Sequence, residues 1–183
     1  MLIQKNLKLM SLGEDCKFLR IGDRIKGPVD NIFCYSEDYL ESLFNMTYLK
    51  KLLTIEPTII GEKYIFNELG IVIIHNKFNV KYIREHIKRL KNFYDFLSHI
   101  HEEDHYFMIS LNRLDTNINP LKVKKILEDN NILEKTIVFG LEEHKEDFPL
   151  FITVKPQYSG DEDEFHKSED DLLSHFSEYL ILE

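Results

Sequence analysis

The chain has 183 residues, enough for one domain with a substantial core and short for two. Its 43% apolar and 30% charged residues, with 7 Gly and 5 Pro, are those of an ordinary folded protein. A net charge of −9 and a pI near 5.4 leave no basic face in the composition for nucleic acid or an anionic membrane, so neither is expected as a partner. A local basic patch around Arg84, Lys88, Arg89 and Lys91 is the one exception left open.

No apolar stretch approaches the roughly 20 residues that span a bilayer. The opening places Lys8 inside its short apolar segment and offers no small-residue cleavage site, so it reads as a poor secretory signal. The two cysteines, Cys16 and Cys34, are too few for a disulfide scaffold. The expected compartment is a reducing cytoplasm, with a single 16–34 bridge as the alternative to two thiols.

Residues 7–12 are apolar apart from Lys8 and predict a short buried strand. Gly13 ends it. Phe18, Leu19, Ile21 and Ile25 give helical spacing over 14–25, with Ser11-Leu12-Gly13-Glu14 as a capping box and Gly22 as a weak point. Gly27-Pro28 marks a turn, and 29–35 reads as extended. A helix is predicted over 36–53, with Ser36 as cap, Glu37 and Asp38 in its first turn and Lys50 and Lys51 in its last.

Residues 58–74 read as strand–turn–strand. The four consecutive β-branched residues at 71–74 predict a strand buried on both faces, and His75 follows it directly. Ile83, Ile87, Leu90, Phe93, Tyr94 and Leu97 predict the longest helix, over 80–101. A strand at 106–111 precedes a helix opened by Asn119-Pro120 and running to Asp129. Strands at 136–141 and 150–154 follow, then an acidic surface loop at 160–171 and a terminal helix at 172–182. This order predicts a single layered α/β domain over 1–183, a mixed sheet with crossover helices.

In such folds sites form beyond the carboxyl ends of strands. Cys16 and His75 both follow strand candidates. A thiolate is the attacking species in cysteine chemistry, and a helix N-terminus lowers a thiol's pKa. Glu14 and Asp15 oppose this if they face the sulfur. His75 is the candidate base, and Asp30 its orienting acceptor, with Asn31 or Asn76 as substitutes in that role. Each has a plainer reading, as a buried apolar cysteine, a strand-end histidine and a turn aspartate.

His101-Glu102-Glu103-Asp104-His105 matches the pattern of zinc hydrolases, which need both imidazoles on one helix face. The segment falls where the long helix ends and a strand begins, so the match is read as a loop. Glycine spacing gives no dinucleotide fingerprint, and the acidic tract lacks the glycine and terminal glutamate of a calcium loop. No cofactor or metal is expected.

The opening stretch resembles an uncharacterised, largely bacterial family (domain of unknown function 1796) classed with papain-like cysteine peptidases. Its Ser-Leu-Gly-x-x-Cys motif is matched by Ser11 to Cys16, and its Pro-Phe-Asp-Trp-like element by Pro28-Val29-Asp30-Asn31. His75, the basic run from Arg84 to Arg89 and Asn112-Arg113 match further positions. Val29 and Asn31 depart from the family's phenylalanine and tryptophan. The resemblance implies a papain-like α+β fold as the alternative architecture, and a peptidase-type activity centred on Cys16.

The leading expectation is a cysteine-dependent hydrolase or acyltransferase using Cys16, His75 and Asp30. Gly13, Asp15, Asn31 and Arg89 are the expected binding residues, and the substrate a peptide or an acyl- or glycan-linked small molecule. The alternatives are a non-enzymatic module binding an anionic or glycan-like ligand near Asp30 and Arg89, and a zinc hydrolase at His101 and His105.

Overall fold

The computed structural model describes residues 7–13, 25–29, 32–74, 77–114 and 116–156. The helix expected over 14–25, the acidic loop at 160–171 and the helix at 172–182 fall wholly or almost wholly outside them. So do Asp15, Cys16, Asp30, Asn31, His75 and Asn76.

The class is α/β, and the strands among the described residues divide into two four-stranded sheets. In chain order the strands are β1 (Lys8–Ser11), β2 (Ile32–Cys34), β3 (Thr58–Ile60), β4 (Lys63–Phe66), β5 (Ile71–Ile73), β6 (His105–Leu111), β7 (Thr136–Gly140) and β8 (Phe151–Thr153). The first sheet has the order β1-β6-β7-β8, every pair parallel. The second has the order β2-β5-β4-β3, every pair antiparallel. The parallel and antiparallel pairs thus segregate into two sheets instead of sharing one.

Central position explains the apolar runs. Strand β6 lies between two parallel neighbours and buries all five residues from Phe107 to Leu111. Its parallel partner β7 requires a crossover, supplied by helix α4 (Pro120–Asp129). Asn119 caps that helix by accepting from the Leu121 and Lys122 amides at 3.0 and 3.4 Å, and Pro120 takes the first helical position. β5 is buried at every position, as its β-branched run predicts. Helix α3 (Val80–Ser98) then links the antiparallel sheet to the parallel one.

The helix predicted over 36–53 is two helices, α1 (Asp38–Phe44) and α2 (Tyr48–Thr54). The break has a local cause. The Asn45 side chain accepts from the Thr47 amide at 3.1 Å and from the Thr47 hydroxyl, while Met46 adopts a left-handed φ of 61°. Turning the chain here lets both Tyr39 of α1 and Tyr48 of α2 reach full burial.

One core joins the two sheets. Met10, Phe107 and Ile109 of the parallel sheet belong to the same cluster as Phe66, Ile71 and Ile73 of the antiparallel one and Leu90, Phe93 and Phe96 of α3. Leu9, Met108, Ile137, Phe139 and Val154 form a second cluster on the other face of the parallel sheet. No helix among the described residues is long and apolar enough to cross a membrane.

Candidate functional site

All four strands of the first sheet run the same way, so their carboxyl ends share one edge, where α/β proteins build their sites. At that edge β1 ends in a buried turn. The Gly13 amide donates to Ser11 Oγ at 3.1 Å, a local serine turn; Glu14, the other half of the expected capping box, lies outside the described residues. Gly13 has a φ of +125°, which L side chains rarely adopt, and it lies flat against the Tyr39 ring. A β-carbon there would sit 2.8 Å from Tyr39 Cζ.

The chain leaves the described residues at Gly13 and returns beside β1. Ile25 donates its amide to the Leu9 carbonyl at 2.8 Å and bridges Met10. Gly27 then approaches the Ser11 carbonyl so closely that a β-carbon would meet that oxygen at 2.9 Å. Gly27, Pro28 and Val29 are all buried, although Gly-Pro turns are ordinarily surface chemistry. The Ile32 amide donates to the Val29 carbonyl at 3.1 Å, and Ile32 pairs with Ile73 across β2 and β5. Gly13, Ser11, Gly27, Val29, Ile32 and Ile73 are thus linked in turn, by these contacts and by the chain from Gly27 to Val29, from the end of β1 to the end of β5.

Of the expected site residues, Gly13 and Arg89 are described. Gly13 holds the turn just discussed. Arg89 lies in the third turn of α3 and lines a cavity of about 200 Å³ along that helix. Cys34 is fully buried in β2, and Cys16, its partner in the alternative 16–34 bridge, lies outside the described residues.

The zinc-type motif is not helical. α3 ends at Ser98, residues 101–104 turn, and His105 begins β6. His105 is buried, and its Nδ1 lies 2.8 Å from Asp104 Oδ1 and 3.5 Å from Glu102 Oε2. Glu102, Asp104 and His105 are the one group among the described residues whose ligand atoms lie close enough to hold a metal ion. It excludes His101 and sits at the amino end of the parallel strands, away from the usual site edge.

A polar cluster in the core is absent from the sequence reading. The His86 ring of α3 stacks between Tyr48 of α2, at 5.4 Å between centroids, and Tyr82 of α3, at 5.8 Å. Burial, with a smaller contribution from Arg89, pushes the His86 imidazole down to about 3, so it is neutral at physiological pH. Burial raises the Tyr48 and Tyr82 phenols well above their ordinary range. The signal available in the sequence was a histidine at a position of the apolar stripe that continues through Leu90 and Phe93.

The fold and this edge define an α/β protein with a glycine-built turn at the carboxyl end of its first parallel strand. No protein-family model, no curated protein and no solved structure matches the chain.

Proposed function

We propose that the protein is a cysteine-dependent hydrolase or acyltransferase working at the carboxyl end of β1, in a cytoplasmic setting that keeps thiols reduced. The observation that supports it is the linked path from Gly13 through Val29 and Ile32 to Ile73. Cys16 follows Gly13 by three residues, at most about 11 Å of extended chain. Asp30 follows Val29 directly, and His75 follows Ile73 by two residues. The described neighbours of all three groups are thereby linked through one series of contacts.

In this reading His75 removes the Cys16 thiol proton and the sulfur attacks a substrate carbonyl carbon. Backbone N–H groups near Gly13 stabilise the resulting oxyanion. His75 returns the proton to the leaving group as the carbonyl re-forms, leaving a thioester on Cys16. Water, or an acceptor nucleophile, then cleaves that thioester with His75 as base. Asp30 holds the imidazole in the required tautomer. Substrates would be peptides or acyl- or glycan-linked small molecules.

Incubation with an activated acyl ester tests this reading by intact mass. One acyl adduct on Cys16, absent in Cys16→Ser and slowed in His75→Ala, is the expected result. Acylation that ignores both substitutions would favour a non-catalytic binding module instead.

A further inference from the structure

We propose that the cavity along the first three turns of α3 binds the phosphate group of a small phosphorylated molecule, a site independent of any reaction at Cys16. The cavity measures about 200 Å³, room for a phosphate monoester. Three cationic side chains line it: Lys77, Lys81 and Arg89. Its one carboxylate, Glu85, is ion-paired with Lys88 at 3.0 Å, so the balance remains positive within a chain of net charge −9.

The backbone adds to this field. The cavity runs along the first three turns of a 19-residue helix, whose positive dipole end favours an anion near Asn79. The cap residue Asn79 accepts from the Tyr82 amide at 3.0 Å and also lines the cavity.

The second, independent observation is His86. It lines the same cavity, its side chain is all but inaccessible at 1% exposure, and neither ring nitrogen has a hydrogen-bond partner among the described residues. The hydroxyl of Tyr82, also in the cavity wall, and that of Tyr48 behind it are buried and likewise lack partners. Packing alone would be served as well by phenylalanine, and buried polar groups are otherwise nearly always satisfied. These polar atoms are closed to solvent in this structure, so a phosphoryl group drawn in by Lys77 and Lys81 would accept from the Tyr82 hydroxyl and the neutral imidazole N–H after a side-chain movement that opens them onto the cavity. The strongly acidic chain disfavours a polyanion or an anionic membrane as the source, leaving a small soluble ester.

Calorimetric titration of the full chain with inorganic phosphate and with glycerol phosphate, at low ionic strength, tests this. The expected result is saturable binding of both, with acetate at equal ionic strength giving none. Lys77→Ala/Lys81→Ala and His86→Phe should each weaken it by about tenfold or more, the loss of one charge-assisted hydrogen bond. Absence of binding, equal binding of acetate, or affinity unchanged in both variants overturns the proposal. Should His86→Phe fail to fold, the exposed lysine pair decides alone.

Discussion

Ile32 and Ile73 face each other across β2 and β5, at the rung where the chain enters one strand and leaves the other. This pairing ties the segment after Val29 to the segment before His75. Gly27, pressed on the Ser11 carbonyl, ties the same segment to the end of β1. The proposed nucleophile, base and orienting acceptor therefore belong to stretches whose anchors are already packed together.

Gly13→Ala should be costly. The φ of +125° costs a β-carbon about 1–3 kcal/mol, and the contact with the Tyr39 ring adds to it. A denaturant titration should show the midpoint fall with the slope unchanged. A shift within error would mean that this turn relaxes freely and cannot hold an oxyanion site.

His86 makes stability depend on acid. Its folded pKa of about 3 lies below the ordinary 6.5, because burial disfavours the imidazolium. The stability is complete above pH 6.5 and is lost as pH falls toward 3, since the unfolded chain takes up the proton and the folded one does not. The loss is up to roughly 5 kcal/mol across that window. The titratable and charged groups around it are Tyr82 and Arg89 of α3, Tyr48 of α2 and Cys34 of β2, together with Lys77, Lys81 and the Lys88-paired Glu85 in the same cavity wall. Urea midpoints measured between pH 7.5 and 4.5 should fall more steeply for the wild type than for His86→Phe. Parallel curves would refute the assignment.

His101 and His105 should behave differently. His101 is exposed in a turn, so His101→Ala should change stability by no more than about 0.5 kcal/mol. His105→Ala removes a buried ring bonded to Asp104 and should cost about 1–3 kcal/mol. Zinc retained after dialysis should also be unaffected by His101→Ala. Its loss with that variant would revive the zinc-hydrolase reading.

Elements dominated by their own residues were legible in the sequence: the apolar strands β1, β6 and β7, and α4 with its Asn119-Pro120 start. Two features were not. The break at Asn45-Met46 depends on a side chain competing with the backbone, which apolar spacing does not record. The division into two sheets depends on pairings such as Ile32 with Ile73, between strands nearly forty residues apart. At the candidate site, the end of β1 at Gly13 could be read from the glycine itself. The closure of Gly27 on Ser11 could not, because Gly-Pro looks the same at a surface turn as in a buried one. His86 is not legible either, because a histidine in an apolar stripe carries no mark of lacking partners.

The most direct test is the pH dependence of Cys16 alkylation by iodoacetamide in the native protein. Cys34 is fully buried, so a single rapid label reports Cys16. Pairing with His75 should bring the midpoint of the rate profile to about 7 or below, from the ordinary thiol value of about 8.5, and His75→Ala should return it upward. A midpoint at or above about 8.5 that His75→Ala leaves in place would contradict the cysteine–histidine site.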